Sequence, residues 1–153
     1  MRKNDSIIYH EAGHALVGYH VGMRLVFADM TCLAIDSPVV GLDCDPVPAP
    51  DRPRARALAA LAGPIAEAKM NGGIHNWRQD GEVARQSAKA LHNDNIEARS
   101  LQLIEWAQEA RRIINSNEER MKRIYMALAA RNYLTGDELT RIVAARVNAA
   151  GAA

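Results

Sequence analysis

The pentapeptide His10-Glu11-Ala12-Gly13-His14 constrains this chain more than any other stretch of its sequence. On an α-helix, residues four apart lie on one face about one turn apart, so both imidazoles can reach a common point. Ile7, Val17 and Val21 fall on that same face by helical periodicity, which turns the two histidines towards the interior. Two imidazoles buried together need polar partners. They find them either in hydrogen bonds to the core or in one metal ion held between them, and zinc suits the spacing. Glu11 lies about 100° round the helix from His10, close enough to hold a water on such an ion without being a ligand. Zinc brings the pKa of that water towards ~7, and the glutamate can take its proton as it attacks a carbonyl.

Such a centre needs a third protein ligand, with the fourth position left for water. Four residues are candidates. His20 follows His14 at the metzincin spacing, but that pattern wants glycine at position 17, and this chain has Val17 with Gly18 one place late. On a continuous helix His20 would point about 100° away from the other two, so it is expected to face solvent. Glu67 is the only charged residue between Ala57 and Ala68. It must find a partner or be protonated: as a ligand, as acceptor for the N–H of a ligating histidine, or in an unrelated buried ion pair. Asp80 heads a stripe of Ala84, Ser87, Ala88 and Leu91, and there it either caps a helix or binds something. His75, in a Gly-rich loop, is expected to be a loop residue.

Local signals lay out the rest. Asn4-Asp5-Ser6 supplies N-cap residue types, so the first helix is expected over 7–21, ending at Gly22. Residues 24–35 carry enough Val, Phe, Thr, Cys and Ile for one or two short strands, and 39–44 for another. A proline-rich loop leads to a second helix over 54–70, kinked at Pro64, and Asn71-Gly72-Gly73 ends it. A third helix is expected over 79–92. Asp94 and Glu97 form a capping-box pattern at the head of a long helix from Ile96 towards Arg131, which Asn115-Ser116-Asn117 can divide. Thr135 and Glu138 repeat the pattern before a last helix to about Asn148. The expected fold is mainly α (α+β), one domain over 1–153 with a small sheet near the amino end.

At this point two motifs invite comparison. The run from Tyr9 through His10, Glu11 and His14 to Gly18 resembles the zinc-site helix of the FtsH-type ATP-dependent zinc metalloproteases. Leu61-Ala62-Gly63-Pro64-Ile65-Ala66-Glu67 resembles the next helix of that peptidase domain, where the pattern is Leu-Ala-Gly-Arg-x-Ala-Glu. Leu134 to Ile142 is similar to the closing helix. The resemblance implies a helical zinc peptidase whose third ligand is an aspartate on the helix after a Gly-rich loop, and Asp80 holds that place. The chain departs from the pattern at Pro64, where the family has Arg. It departs again in the loop before Asp80, which reads Asn76-Trp77-Arg78-Gln79. No Walker-type phosphate loop occurs, so the resemblance extends to the peptidase part alone, as in a free-standing relative or a domain cut from a larger protein.

The expected activity is that of a zinc metalloendopeptidase, with Glu11 as base and zinc on His10, His14 and Asp80. Without an ATPase it would act on unfolded or flexible polypeptides, or depend on a separate ATPase partner or on oligomerisation. The strand within 24–35 would offer an edge on which extended substrate pairs. Two other readings stand beside this one: a regulatory or binding module with a structural zinc, and a single-target regulatory protease. Composition narrows the field further. The 153 residues are 48% hydrophobic and 24% charged with a net charge of +1, without the basic stripe a nucleic-acid binder needs. No apolar run approaches the ~18 residues of a membrane span, and the histidine motif starts too early to follow a cleaved leader. A cytoplasmic protein with Cys32 and Cys44 as reduced thiols is the expectation.

Overall fold

The computed structural model describes residues 3–31, 39–73 and 77–145. Its first helix, α1 (Lys3–His20), starts earlier than its cap-type residues suggest, so Asn4, Asp5 and Ser6 lie inside it. The inward face explains the extension. Ser6 falls one turn before His10 and is buried with it, so the helix extends far enough to keep both on one stripe.

Small residues let α2 (Arg52–Asn71) lie close against α1. A Cβ on Gly13 would sit 2.6 Å from the Ala62 carbonyl oxygen and 2.8 Å from Ala66 Cβ, so a larger residue there would push the helices apart. Ala12 and Ala15 from α1, and Ala57, Ala62 and Ala66 from α2, are fully buried at this crossing. Pro64 stands inside α2, which continues past it to Asn71 and closes on Gly72 in the left-handed conformation at φ 74°.

Three further helices complete the framework: α3 (Arg78–His92), α4 (Ile96–Ser116) and α5 (Glu118–Ala130). The division of the long helix falls at Asn117, within the expected tripeptide. The cap of α4 is Asn95 rather than Asp94, because the Asn95 side chain is the one that accepts from the Ala98 N–H, at 3.0 Å. On α3 the buried stripe is Gly81, Ala84, Ser87 and Ala88, while Leu91 is half exposed. Trp106, Ile114, Met121, Ile124 and Leu128 carry the core from α4 into α5.

The sheet is antiparallel with strand order β2-β1-β3, formed by β1 (Arg24–Asp29), β2 (Val39–Asp43) and β3 (Tyr133–Thr135). It recruits its third strand from far along the chain. Leu134, fully buried opposite Ala28, supplies the anchor for that pairing. β1 stops at Asp29, short of the expected 35, and Cys32 lies outside the described residues. The edge expected of β1 is a correction: β1 is the central strand, paired on both sides, so the open edge passes to β2. Cys44, just beyond β2, is a free thiol. Among the described residues no helix is long and apolar enough to cross a membrane. The mainly helical fold with a small sheet is thus the one the sequence leads to.

β3 runs directly into α6 (Gly136–Ala144), and here the expected capping box is complete. Thr135 Oγ1 accepts from the Glu138 N–H at 3.3 Å, and the Glu138 carboxylate accepts from the Thr135 N–H at 2.9 Å. The last helix ends at Ala144, and the remainder of its expected span, beyond 145, lies outside the described residues. The Thr135 backbone, the Arg131 guanidinium and the Thr135 hydroxyl together hold the Glu138 carboxyl down to about 2. A carboxyl lowered in the folded state stabilises fully above its unfolded value of ~4.3 and loses that effect as pH falls towards the folded value. Glu138→Gln should therefore melt below wild type at pH 7, with the gap closing as pH falls below ~4. Thermal unfolding across pH checks this, and a gap that does not narrow in acid would exclude the carboxylate as its cause.

Candidate metal centre

Three helices deliver the site. His10 and His14 come from the buried face of α1, Asp80 from the first turn of α3, and α2 lies behind both rings. Asp80 does not cap its helix, since the N-cap position belongs to Trp77. His10 Nε2 lies 3.1 Å from Asp80 Oδ2, and His14 Nε2 lies 3.6 Å from Asp80 Oδ1. Donor atoms bound tetrahedrally at ~2.0–2.2 Å from one zinc ion stand ~3.3 Å apart, so the two spacings bracket that geometry. Among the described residues, these three form the one group of His, Cys, Asp and Glu with ligand atoms all within 4.8 Å of one another.

The opposite ring nitrogens decide which atoms face the centre. His14 Nδ1 donates to the Ala59 carbonyl at 2.7 Å, and a carbonyl only accepts, so that nitrogen carries the hydrogen. His10 Nδ1 lies 3.3 Å from Glu67 Oε2, on the same logic with a carboxylate as acceptor. Each Nε2 then turns a lone pair towards Asp80, which also offers only lone pairs. Acceptors facing one another at these distances need a proton or a metal cation between them. Burial works against a charged His10, but the Asp80 carboxylate at Nε2, the charge of Glu11 and the Glu67 contact outweigh it and raise the imidazole above its ordinary value. The centre favours positive charge.

Gly63 supplies the space. A Cβ built there would fall 2.5 Å from both His10 Nε2 and His14 Nε2. The missing side chain leaves the two donor atoms clear on the side where α2 crosses them. The donor set, its spacing and this clearance all fit a zinc ion on His10, His14 and Asp80.

Glu11 is buried beside this group but is not one of its members. Burial pushes its carboxyl upward, against the pull of the His14 and His10 imidazoles, while the Val40 backbone N–H donates to it from β2. A carboxyl made more basic by burial is equipped to accept a proton.

Of the four third-ligand candidates, Asp80 joins the histidines and Glu67 stands behind His10. Glu67 is 2% exposed, and its other oxygen accepts from Ser6 Oγ at 2.8 Å. His20 is exposed at the end of α1, as its helical angle implied. His75 lies outside the described residues. Sequence reasoning did not single out Ser6, Ala59, Gly63 as a space, or Val40. Only Ser6 had a visible signal, its position four residues before His10, and that signal was masked by reading Ser6 as a cap. Compared with models of known protein families the chain matches none, and no curated protein matches it.

Gly63→Ala tests the clearance. Alanine is the better helix former by about 1 kcal/mol, so far-UV circular dichroism should show α2 intact. Zinc titration followed by calorimetry should show binding lost or weakened by ~100-fold or more, the scale of disturbing a ligand directly. Wild-type zinc affinity in Gly63→Ala would mean that no ion sits between these rings.

Proposed function

We propose that this chain is a zinc-dependent peptidase, with the ion held by His10, His14 and Asp80 and with Glu11 as general base. The observation that carries the reading is the position of Glu11: a buried carboxylate directly following His10, within electrostatic reach of His14, His10 and Asp80, yet outside their group. A purely structural site has no use for a base there. The resemblance to the FtsH-type peptidase domain supports it on the residues of two motifs, 9–18 and 61–67.

When bound, zinc would supply Lewis acidity, polarising a scissile carbonyl and acidifying a water. The remaining work falls to the protein. Glu11 would take the proton from the attacking water on a carboxylate oxygen and hand it to the departing amine nitrogen. Burial makes the carboxyl hold an accepted proton more firmly than an exposed one would, which suits it to carry the proton between the two. Glu67 and the Ala59 carbonyl would keep both imidazoles in the tautomer that presents Nε2.

Substrate would lie along β2. It is an edge strand, and the Val40 N–H turned towards Glu11 belongs to the row of backbone groups facing away from β1. An extended polypeptide pairing there would pass its backbone beside Glu11. Strand addition requires an unfolded segment, so flexible polypeptides are the proposed substrates. Folded ones would need a separate ATPase to deliver them.

Glu11→Gln should retain zinc and lose at least ~10²-fold in turnover of an unstructured substrate such as casein, the loss expected on removing general-base help. Asp80→Ala should lose the metal itself, and His20→Ala should behave as wild type in both assays. An active Glu11→Gln protein would refute the mechanism. A wild type that holds zinc but cleaves no unfolded chain would favour a binding module with a structural ion.

A further inference from the structure

The two imidazoles are backed unequally. His14 Nδ1 meets a neutral backbone carbonyl, whereas His10 Nδ1 meets the carboxylate of Glu67, an ionisable group buried almost completely. Glu67 is in turn gripped at both oxygens from one face of α1, by Ser6 Oγ at Oε1 and by His10 at Oε2. Ser6 and His10 stand one turn apart, so a single helix face sets the position and rotamer of the carboxylate between them.

We infer that Ser6 is a positioning residue for the metal centre, acting through Glu67 to fix the ring of His10 and strengthen it as a ligand. The inference rests on the metal site proposed above. The Ser6 hydroxyl donates to Oε1 and so helps to keep Oε2 directed at His10 Nδ1. Losing that donor removes the hold on Oε1 that helps to aim Oε2 at His10 Nδ1, and the ring's backing weakens. His14, backed by a rigid helix carbonyl, does not depend on this chain of contacts.

Metal affinity and ligand geometry test it on the purified full chain, with zinc by chelator competition and cobalt(II) by its visible absorption. Ser6→Ala should bind zinc ~10-fold more weakly, at the low end of what outer partners of a ligating histidine contribute, and should shift the cobalt bands. Ser6→Cys fills the same space with a poor donor, so it should weaken binding in the same direction even if Ser6→Ala folds badly. Glu67→Gln should weaken binding at least as much. Adding Ser6→Ala to Glu67→Gln should change affinity no further, because Ser6 acts through that carboxylate. A merely structural role for Ser6 would lower thermal stability and leave the cobalt spectrum unmoved. Wild-type affinity and spectrum in Ser6→Cys would overturn the inference, as would a full penalty from Ser6→Ala in the Glu67→Gln background. A wild type that binds neither ion would instead overturn the metal site itself.

Discussion

The approach of Gly13 to the backbone of Ala62 sets how near α1 lies to α2, and the arrangement of His10 and His14 depends on that spacing. Only at this distance does His14 Nδ1 reach the Ala59 carbonyl and His10 Nδ1 reach Glu67. One helix width further out, both rings would need water or other side chains as partners, and their orientation would be free. The alanine-rich face of α2 is therefore more than a core surface. It is the backing against which the two imidazoles are set, and Gly63 is the gap in that backing that keeps a side chain off both Nε2 atoms.

Electrostatics follow from the same geometry. Glu11, Glu67 and Asp80 converge on two imidazoles, and carboxylates crowded in a poorly solvated space raise one another's energy. A divalent cation at the centre would relieve all three at once. Their positions differ: Asp80 faces the Nε2 atoms, Glu67 sits behind one ring, and Glu11 lies about 100° round the helix from His10. Three chemically similar side chains have distinct surroundings because three helices present them from different directions.

Much of this was legible in the sequence because helical spacing translates directly into direction. The His10–His14 pair, the solvent-facing His20 and the capping box at Thr135 and Glu138 are local patterns, and each is found where its spacing places it. Asp80 needed the resemblance as well, since its own surroundings fitted a helix cap equally well. The misreadings are those in which distant contacts overrule local ones. Ser6 has the chemistry of a cap, yet Glu67, sixty-one residues on, draws it into the interior. β1 reads as a free strand until β3 arrives to cover it, and three residues are too few to announce a strand. The clearance at Gly63 was invisible, because an absent side chain has meaning only once its neighbours are known.

The late arrival of β3 also gives the molecule an order of assembly. β1 and β2 can pair as a hairpin soon after synthesis, but Phe27, Ala28 and Asp29 meet Thr135, Leu134 and Tyr133 only when nearly all the described chain has been made. Long-range strand pairing is slow, since a large loop must close before any of its contacts form. Until then the sheet has an unfinished side, and the strand that carries Val40 to Glu11 is anchored by its hairpin partner alone. A polypeptide still emerging from the ribosome would thus have its histidine helix long before its sheet is complete.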